Sequence, residues 1–243
     1  MNLVALETAT AVCSVALWID GGVVVEAALN RPRAHAENLV PLISDVLRYG
    51  GIAARDLDAV AVSAGPGSFT GLRIGASTAK GLASAVDAGL VAVPSLEALA
   101  YSAAGAVGVI DASDILLAVF DARRDEVFAA AFRRQADGSL GVHRETAAVS
   151  LVDLGDWLGM VAGTVFLAGD GSTKWAAAWG DEMPRVRLLS DEVVRPSAAS
   201  VARLGAERLA RGETVDVAEF EPFYLKEFVA KMPTTSAFAK LPF

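Results

Sequence analysis

Apolar positions at the start of the chain fall into three strand-length runs, residues 3–7, 13–18 and 23–29. Asp20-Gly21-Gly22 turns the second run into the third. Over residues 36–49 the period changes. Leu39, Ile43, Val46 and Leu47 fall on one stripe of a helix, which Gly50-Gly51 ends. A strand at 59–63, a glycine-rich loop, a helix at 72–86 and a strand at 90–93 follow. Ser95 then caps a helix to about residue 104, with Glu97 in its favourable first turn. The order is three strands, then helix, strand, helix, strand, helix. A fainter version follows: strands at 115–121 and 126–133, a third near 143–149, and a helix begun by Ser150 with Asp153 three residues on. A strand at 165–168 runs into Gly169-Asp170-Gly171, and helices are predicted at 173–179 and 197–211, the latter stopped by Gly212. Identity between the two halves is negligible, so the repeat rests on element order alone.

The loop after the strand at 59–63 carries the most information. Gly65, Gly67 and Gly71 leave the backbone open to close approach, and Ser68 and Thr70 can accept from the first free amides of the helix. Such a loop can hold an anion, or it can be a plain strand-to-helix turn. It is neither a Walker A nor a G-x-G-x-x-G loop. The run Gly65-Pro-Gly-Ser-Phe-Thr-Gly-Leu-Arg-Ile-Gly, followed by Ala79-Lys-Gly-Leu-Ala, closely resembles the signature of the bacterial TsaB (YeaZ) family. Further segments fit: Leu6-Glu-Thr-Ala-Thr, His35-Ala-Glu-Asn-Leu-Val-Pro-Leu-Ile, Asp121-Ala-Arg-Arg-Asp-Glu-Val-Phe and Glu221-Pro-Phe-Tyr-Leu-Lys. The matches run in order from residue 3 to 226.

The resemblance implies an α/β chain with the actin-like ATPase (ribonuclease H-like) fold: two lobes and a degenerate nucleotide site. The first lobe is expected at 1–105 and the second at 106–226, whose last helix can pack back on the first. Residues 227–243 lack periodicity and read as a flexible tail. The implied function is that of a non-catalytic subunit that binds and supports TsaD. TsaD makes threonylcarbamoyladenosine beside the anticodon of tRNAs reading codons that start with A. The implied partners are TsaD as a heterodimer, TsaE docking on that pair, a second copy of the chain when alone, and tRNA only through the complex. The alternative is an enzyme of the same fold, an ATP-dependent phosphotransferase or a metallopeptidase.

Composition narrows this further. The 243 residues can bury a substantial core and are 53% hydrophobic, much of it alanine, which suits helices packed closely on buried sheets. The longest charge-free stretch, residues 59–72, is broken by Gly and Pro, so no membrane helix is expected. The start of the chain lacks a basic region followed by an apolar one, so no secretory signal is expected. The single cysteine, Cys13, precludes an internal disulfide, suits a cytoplasmic location and reads as inert core. A net charge of −8 argues against direct, unaided RNA binding. The only Lys/Arg clusters are Arg123-Arg124 and Arg133-Arg134, both on a predicted hairpin.

Candidate chemistry is sparse. TsaD holds a metal through a His-x-x-x-His pair on the helix matching residues 36–49. Here His35 is followed four residues on by Leu39, which cannot ligate, so neither a metal site nor a cofactor is expected. Glu7-Thr8-Ala9-Thr10 keeps an acid and hydroxyls where active members of the fold have a glycine as well. Thr8 together with Gly169, Asp170 and Gly171 is therefore the candidate nucleotide remnant, with a plain turn as the other reading of the glycine segment. No nucleophilic set can be assembled from one cysteine and two histidines, so no catalytic residue is expected. Apolar positions beyond one buried stripe suggest a partner surface on the two first-lobe helices. Its expected members are Val40 and Leu47 on the first, with the small-residue ridge Gly71, Gly75, Ala79 and then Leu82 on the second.

Overall fold

The computed structural model describes residues 1–108, 111–180, 182–190 and 194–226. The tail expected at 227–243 lies outside the described residues. β1 (Asn2–Glu7), β2 (Val12–Ile19) and β3 (Gly22–Asn30) form an antiparallel meander, turned between β2 and β3 by Asp20 and Gly21 at positive φ. β4 (Ala59–Ser63) and β5 (Gly89–Val93) continue the sheet in parallel from β1, giving the order β3-β2-β1-β4-β5. A second sheet repeats this pattern with β6 (Ile115–Asp121), β7 (Glu126–Arg134), β8 (Leu140–Ser150), β9 (Val165–Ala168) and β10 (Val186–Leu188), in the order β8-β7-β6-β9-β10. The same mixed order used twice, with helices on both faces, is the actin-like arrangement of two ribonuclease H-like units. β4 is buried along its whole length, as a central strand covered on both faces must be, whereas the edge strand β3 is largely exposed.

The helices are α1 (His35–Gly50), α2 (Phe69–Val86), α3 (Ser95–Val107), α4 (Leu151–Gly159), α5 (Ser172–Trp179) and α6 (Ala198–Ala210). Leu39, Ile43 and Val46 of α1 and Ala76, Ala79 and Ala83 of α2 cover one face of the first sheet, on Val4, Leu6, Val15, Val60 and Val62. Ala198, Val201 and Ala202 of α6 cover the other face, on Leu3, Ala5, Ala16 and Ala61, joined by Ala98 of α3. Gly205 lets α6 lie close on β4: a Cβ there would sit 2.6 Å from the Ala61 methyl. Leu96, Leu99, Ala100 and Ala103 of α3 meet Leu116, Phe120, Phe128 and Phe132 of the second sheet. α3 is thus packed against both sheets, and its alanines make that double burial possible. The far face of the second sheet is covered by α4 and α5 through Leu154, Leu158 and Trp175.

Capping sets several boundaries. Ser68 Oγ accepts the Gly71 amide at 3.3 Å, so α2 begins at Phe69, three residues before the apolar pattern alone predicts. Ser150 Oγ accepts the Asp153 amide at 3.0 Å and starts α4. Among the described residues no helix is long and apolar enough to cross a membrane.

Candidate functional site

The β1–β2 turn and the glycine loop, where an actin-like protein would bind phosphate, are packed against each other. A Cβ at Gly71 would strike the Thr8 carbonyl oxygen, one at Gly75 would strike Thr8 Oγ1, and one at Gly67 would meet the Ala9 carbonyl. These three glycines therefore admit the β1–β2 turn. Several of the loop's amides are engaged: Gly65 N–H donates to Ser95 Oγ (2.9 Å), Ser68 N–H to Ala9 O (2.6 Å) and Leu72 N–H to Ser68 O (2.8 Å). These bonds fit the plain-turn reading of the loop.

Thr8 is 0% exposed and its amide donates to Ser63 Oγ at 3.1 Å, while Oγ1 has no partner among the described residues. Glu7 beside it is equally buried. One carboxyl oxygen accepts the Ala9 amide at 2.6 Å and the other has no partner. Burial pushes its pKa up to about 7, against the lowering effect of the Ala9 amide and the Ser63 hydroxyl. The Cys13 thiol is pushed up to about 11, by burial first and by Glu7 second, so it is a protonated core group at neutral pH.

In the second unit, Gly169 (φ +108°) lies against the Val119 carbonyl and Leu99. A Cβ on Gly171 would sit 3.1–3.2 Å from Phe120 and Val119. Both glycines are needed for the β9–α5 turn to pack on β6. Asp170 is exposed, and its Oδ1 accepts the Asp121 amide at 2.9 Å. Thr8 is thus enclosed under α2 in one unit, whereas Gly169, Asp170 and Gly171 form a packed turn in the other. The nucleotide remnant expected from sequence is not an open cleft at Thr8.

A strap missed by sequence reading closes the same region. After α6, Val215 bridges to Leu90, and Lys80 Nζ donates to the carbonyls of Ala218 (2.9 Å) and Phe220 (3.0 Å). Phe223 N–H then donates to Ala64 O (2.7 Å), Tyr224 packs on Phe69 at 5.0 Å, and Lys226 Nζ reaches Ala122 O and Glu126 on the second sheet. His35 is also structural: it is buried, with Nε2 3.1 Å from the Val12 carbonyl, and Leu39 one turn on is core. Among the described residues no three His, Cys, Asp or Glu side chains group as metal ligands.

An open groove of about 400 Å³ lies between α1 and α2, lined by Val40, Ser44, Leu47, Ser77, Thr78, Gly81 and Leu82 among others. Val40 is 58% exposed and Leu82 part-exposed, whereas Leu47 is mostly buried at the groove floor. Gly71, Gly75 and Ala79 are not on this surface. They are buried inside the chain, the glycines against Thr8 and Ala79 in the core under α2. The ridge read from sequence is real, but it is turned inward. The outward ridge is Ser77, Thr78 and Gly81, one helical step around.

Residues 14–160 match the family model described as TsaD, tRNA N6-adenosine threonylcarbamoyltransferase. The chain is 34% identical over 235 residues to the tRNA threonylcarbamoyladenosine biosynthesis protein TsaB of Escherichia coli (strain K12), covering 96% of this chain and 99% of that protein. A shorter stretch of 82 residues is 51% identical to the tRNA N6-adenosine threonylcarbamoyltransferase of Novosphingobium aromaticivorans, covering 34% of this chain and 23% of that enzyme. Among solved structures, YeaZ from Pseudomonas aeruginosa superposes with a TM-score of 0.76 at 33% identity, over 92% of this chain and 99% of that one. With sequence and fold matched over nearly its whole length, the chain belongs to the TsaB family.

Proposed function

We propose that this chain is the non-catalytic subunit that binds and supports TsaD in forming threonylcarbamoyladenosine next to the anticodon of tRNAs reading A-starting codons. The observation that carries the reading is the α1–α2 groove, an open surface with apolar and small lining residues on a chain whose β1–β2 turn is packed against the glycine loop. Two helices from each subunit would meet there in a four-helix contact of about 1,200–2,000 Å² in total. The same surface would pair two copies when TsaD is absent. TsaE would dock on the TsaB–TsaD pair, tRNA would be engaged through the complex, and the cytoplasm would be its place of work. The enclosed Thr8 speaks against a phosphotransferase, and His35 bound to the Val12 carbonyl with Leu39 one turn on speaks against a metallopeptidase.

Co-purification of tagged TsaD with Val40→Arg and Thr78→Arg variants tests this. Both residues line the groove rather than the core, so thermal unfolding should stay near that of the parent while TsaD is lost. A folded double variant that still captures TsaD and still self-associates would place the interface elsewhere.

A further inference from the structure

β8 is the outer edge of the second sheet, and it is irregular where it passes Ala131 and Phe132 of β7. Ala131 pairs with Arg144 and Phe132 with Val142, so His143 is an extra residue on the β8 side. In a regular strand His143 and Arg144 would point to opposite faces. The bulge brings both to Trp157 of α4: the Arg144 guanidinium lies 4.8 Å from the indole centroid, and the His143 ring lies 6.3 Å away. Arg133 at the end of β7 joins them, close enough that its charge lowers the His143 pKa, after the larger effect of burial.

Neither Arg133 nor Arg144 makes an ion pair among the described residues, although Glu145 and Asp156 adjoin the cluster in sequence. Arg133 Nε and Arg144 Nη1, both enclosed, have no acceptor among the described residues, and the rest of each guanidinium carries the charge outward from the edge strand pair. In the neighbouring turn, by comparison, Lys174 pairs with Asp121 and Lys226 with Glu126. Two arginines without a carboxylate partner, one of them over an indole and both beside His143, gather positive charge on an edge of an acidic chain, which suits an external anion. We propose that Arg133, His143 and Arg144 at the β8 edge contact the RNA phosphate backbone. The proposal rests on the reading of this chain as part of a tRNA-modifying complex. The acidic surface elsewhere repels RNA at a distance, so the patch guides and anchors an RNA held mainly by the partner.

The test is fluorescence anisotropy with an unmodified tRNA transcript. It is run on the chain alone at about 50 mM salt, and on its complex with TsaD from about 50 to 200 mM. The double variant Arg133→Ala/Arg144→Ala should bind more weakly in both. In the complex, the log–log salt slope should fall by about one for each lost phosphate contact. Arg133→Lys/Arg144→Lys keeps the charges and should restore the slope, a rescue that a packing role for the arginines would not give. Titration with ATP in place of tRNA should not depend on either arginine; if only ATP binding is lost, the site takes a mononucleotide and the RNA assignment falls. Unchanged tRNA affinity overturns the proposal, and self-association of the alanine variant would then mark the arginines as guards of an exposed sheet edge. Failure of the parent chain to capture TsaD counts against the functional reading alone, because the titration of the isolated chain still decides this one.

Discussion

Replacing Glu7 by Gln should stabilise the protein above neutral pH and have little effect in acid. Glu7 has no exposed surface, and burial lifts its pKa from 4.5 to about 7 despite a 2.6 Å bond from the Ala9 amide. The folded state therefore holds the proton more tightly than the unfolded chain does. The stability contributed by the protonated acid is fully present below about pH 4.5 and is lost as pH rises to about 7. At about 1.36 kcal/mol per pH unit, that window corresponds to about 3 kcal/mol. Glutamine matches the shape, keeps an oxygen for the Ala9 amide and carries no charge at any of these pH values. The variant should thus exceed the parent by up to about 3 kcal/mol at about pH 8 and converge with it near pH 4.5. For a chain of this size the difference corresponds to a gain of roughly 6–12 °C in Tm. Urea unfolding of both proteins across the range is the measurement. A difference that does not change with pH, or a parent that is the more stable of the two at pH 8, would mean that the carboxylate is ionised and partnered.

Ala79→Arg should unfold the first sheet's core rather than merely block a partner, because Ala79 is 0% exposed under α2; about 3–5 kcal/mol should be lost in denaturant titration, and a variant with unchanged stability would return this residue to the surface. Cys13→Ser should cost about 1–3 kcal/mol for a buried hydroxyl and leave tRNA modification intact in a complementation assay. Loss of function in a normally folded serine variant would reveal a role for the thiol.

Local rules carried much of the fold into the sequence. Strands β1, β2 and β4 are mostly apolar runs because both faces of a central strand are buried, and Ser150 and Ser197 mark helix starts by bonding the free amides of the next turn. β10 escaped because three residues, two of them exposed, have no usable period. The strap from Val215 to Lys226 escaped for a different reason: its contacts, to Leu90, Lys80, Ala64 and Glu126, all lie far away in the chain. The inward turn of Gly71, Gly75 and Ala79 is of the same kind. A helical stripe of small residues states that something approaches closely, but its rotation about the axis, and hence whether Thr8 or a partner does the approaching, is fixed only by tertiary packing. The pairing of Arg144 and His143 with Trp157 depends on a bulge, which has no signature in alternation alone.

The return of α6 and the strap to the first sheet has a consequence during synthesis. β1 to β5 leave the ribosome first, yet one face of their sheet is covered by Ala198, Val201 and Ala202, and Phe220 packs into the other side. At about 5–20 residues per second, the roughly 100 residues between α3 and α6 take about 5–20 s to be made. For that interval the nascent first sheet carries an uncovered apolar face made of Leu3, Ala5, Ala16 and Ala61. The yield of folded chain should therefore respond to elongation rate over the stretch that encodes the second sheet.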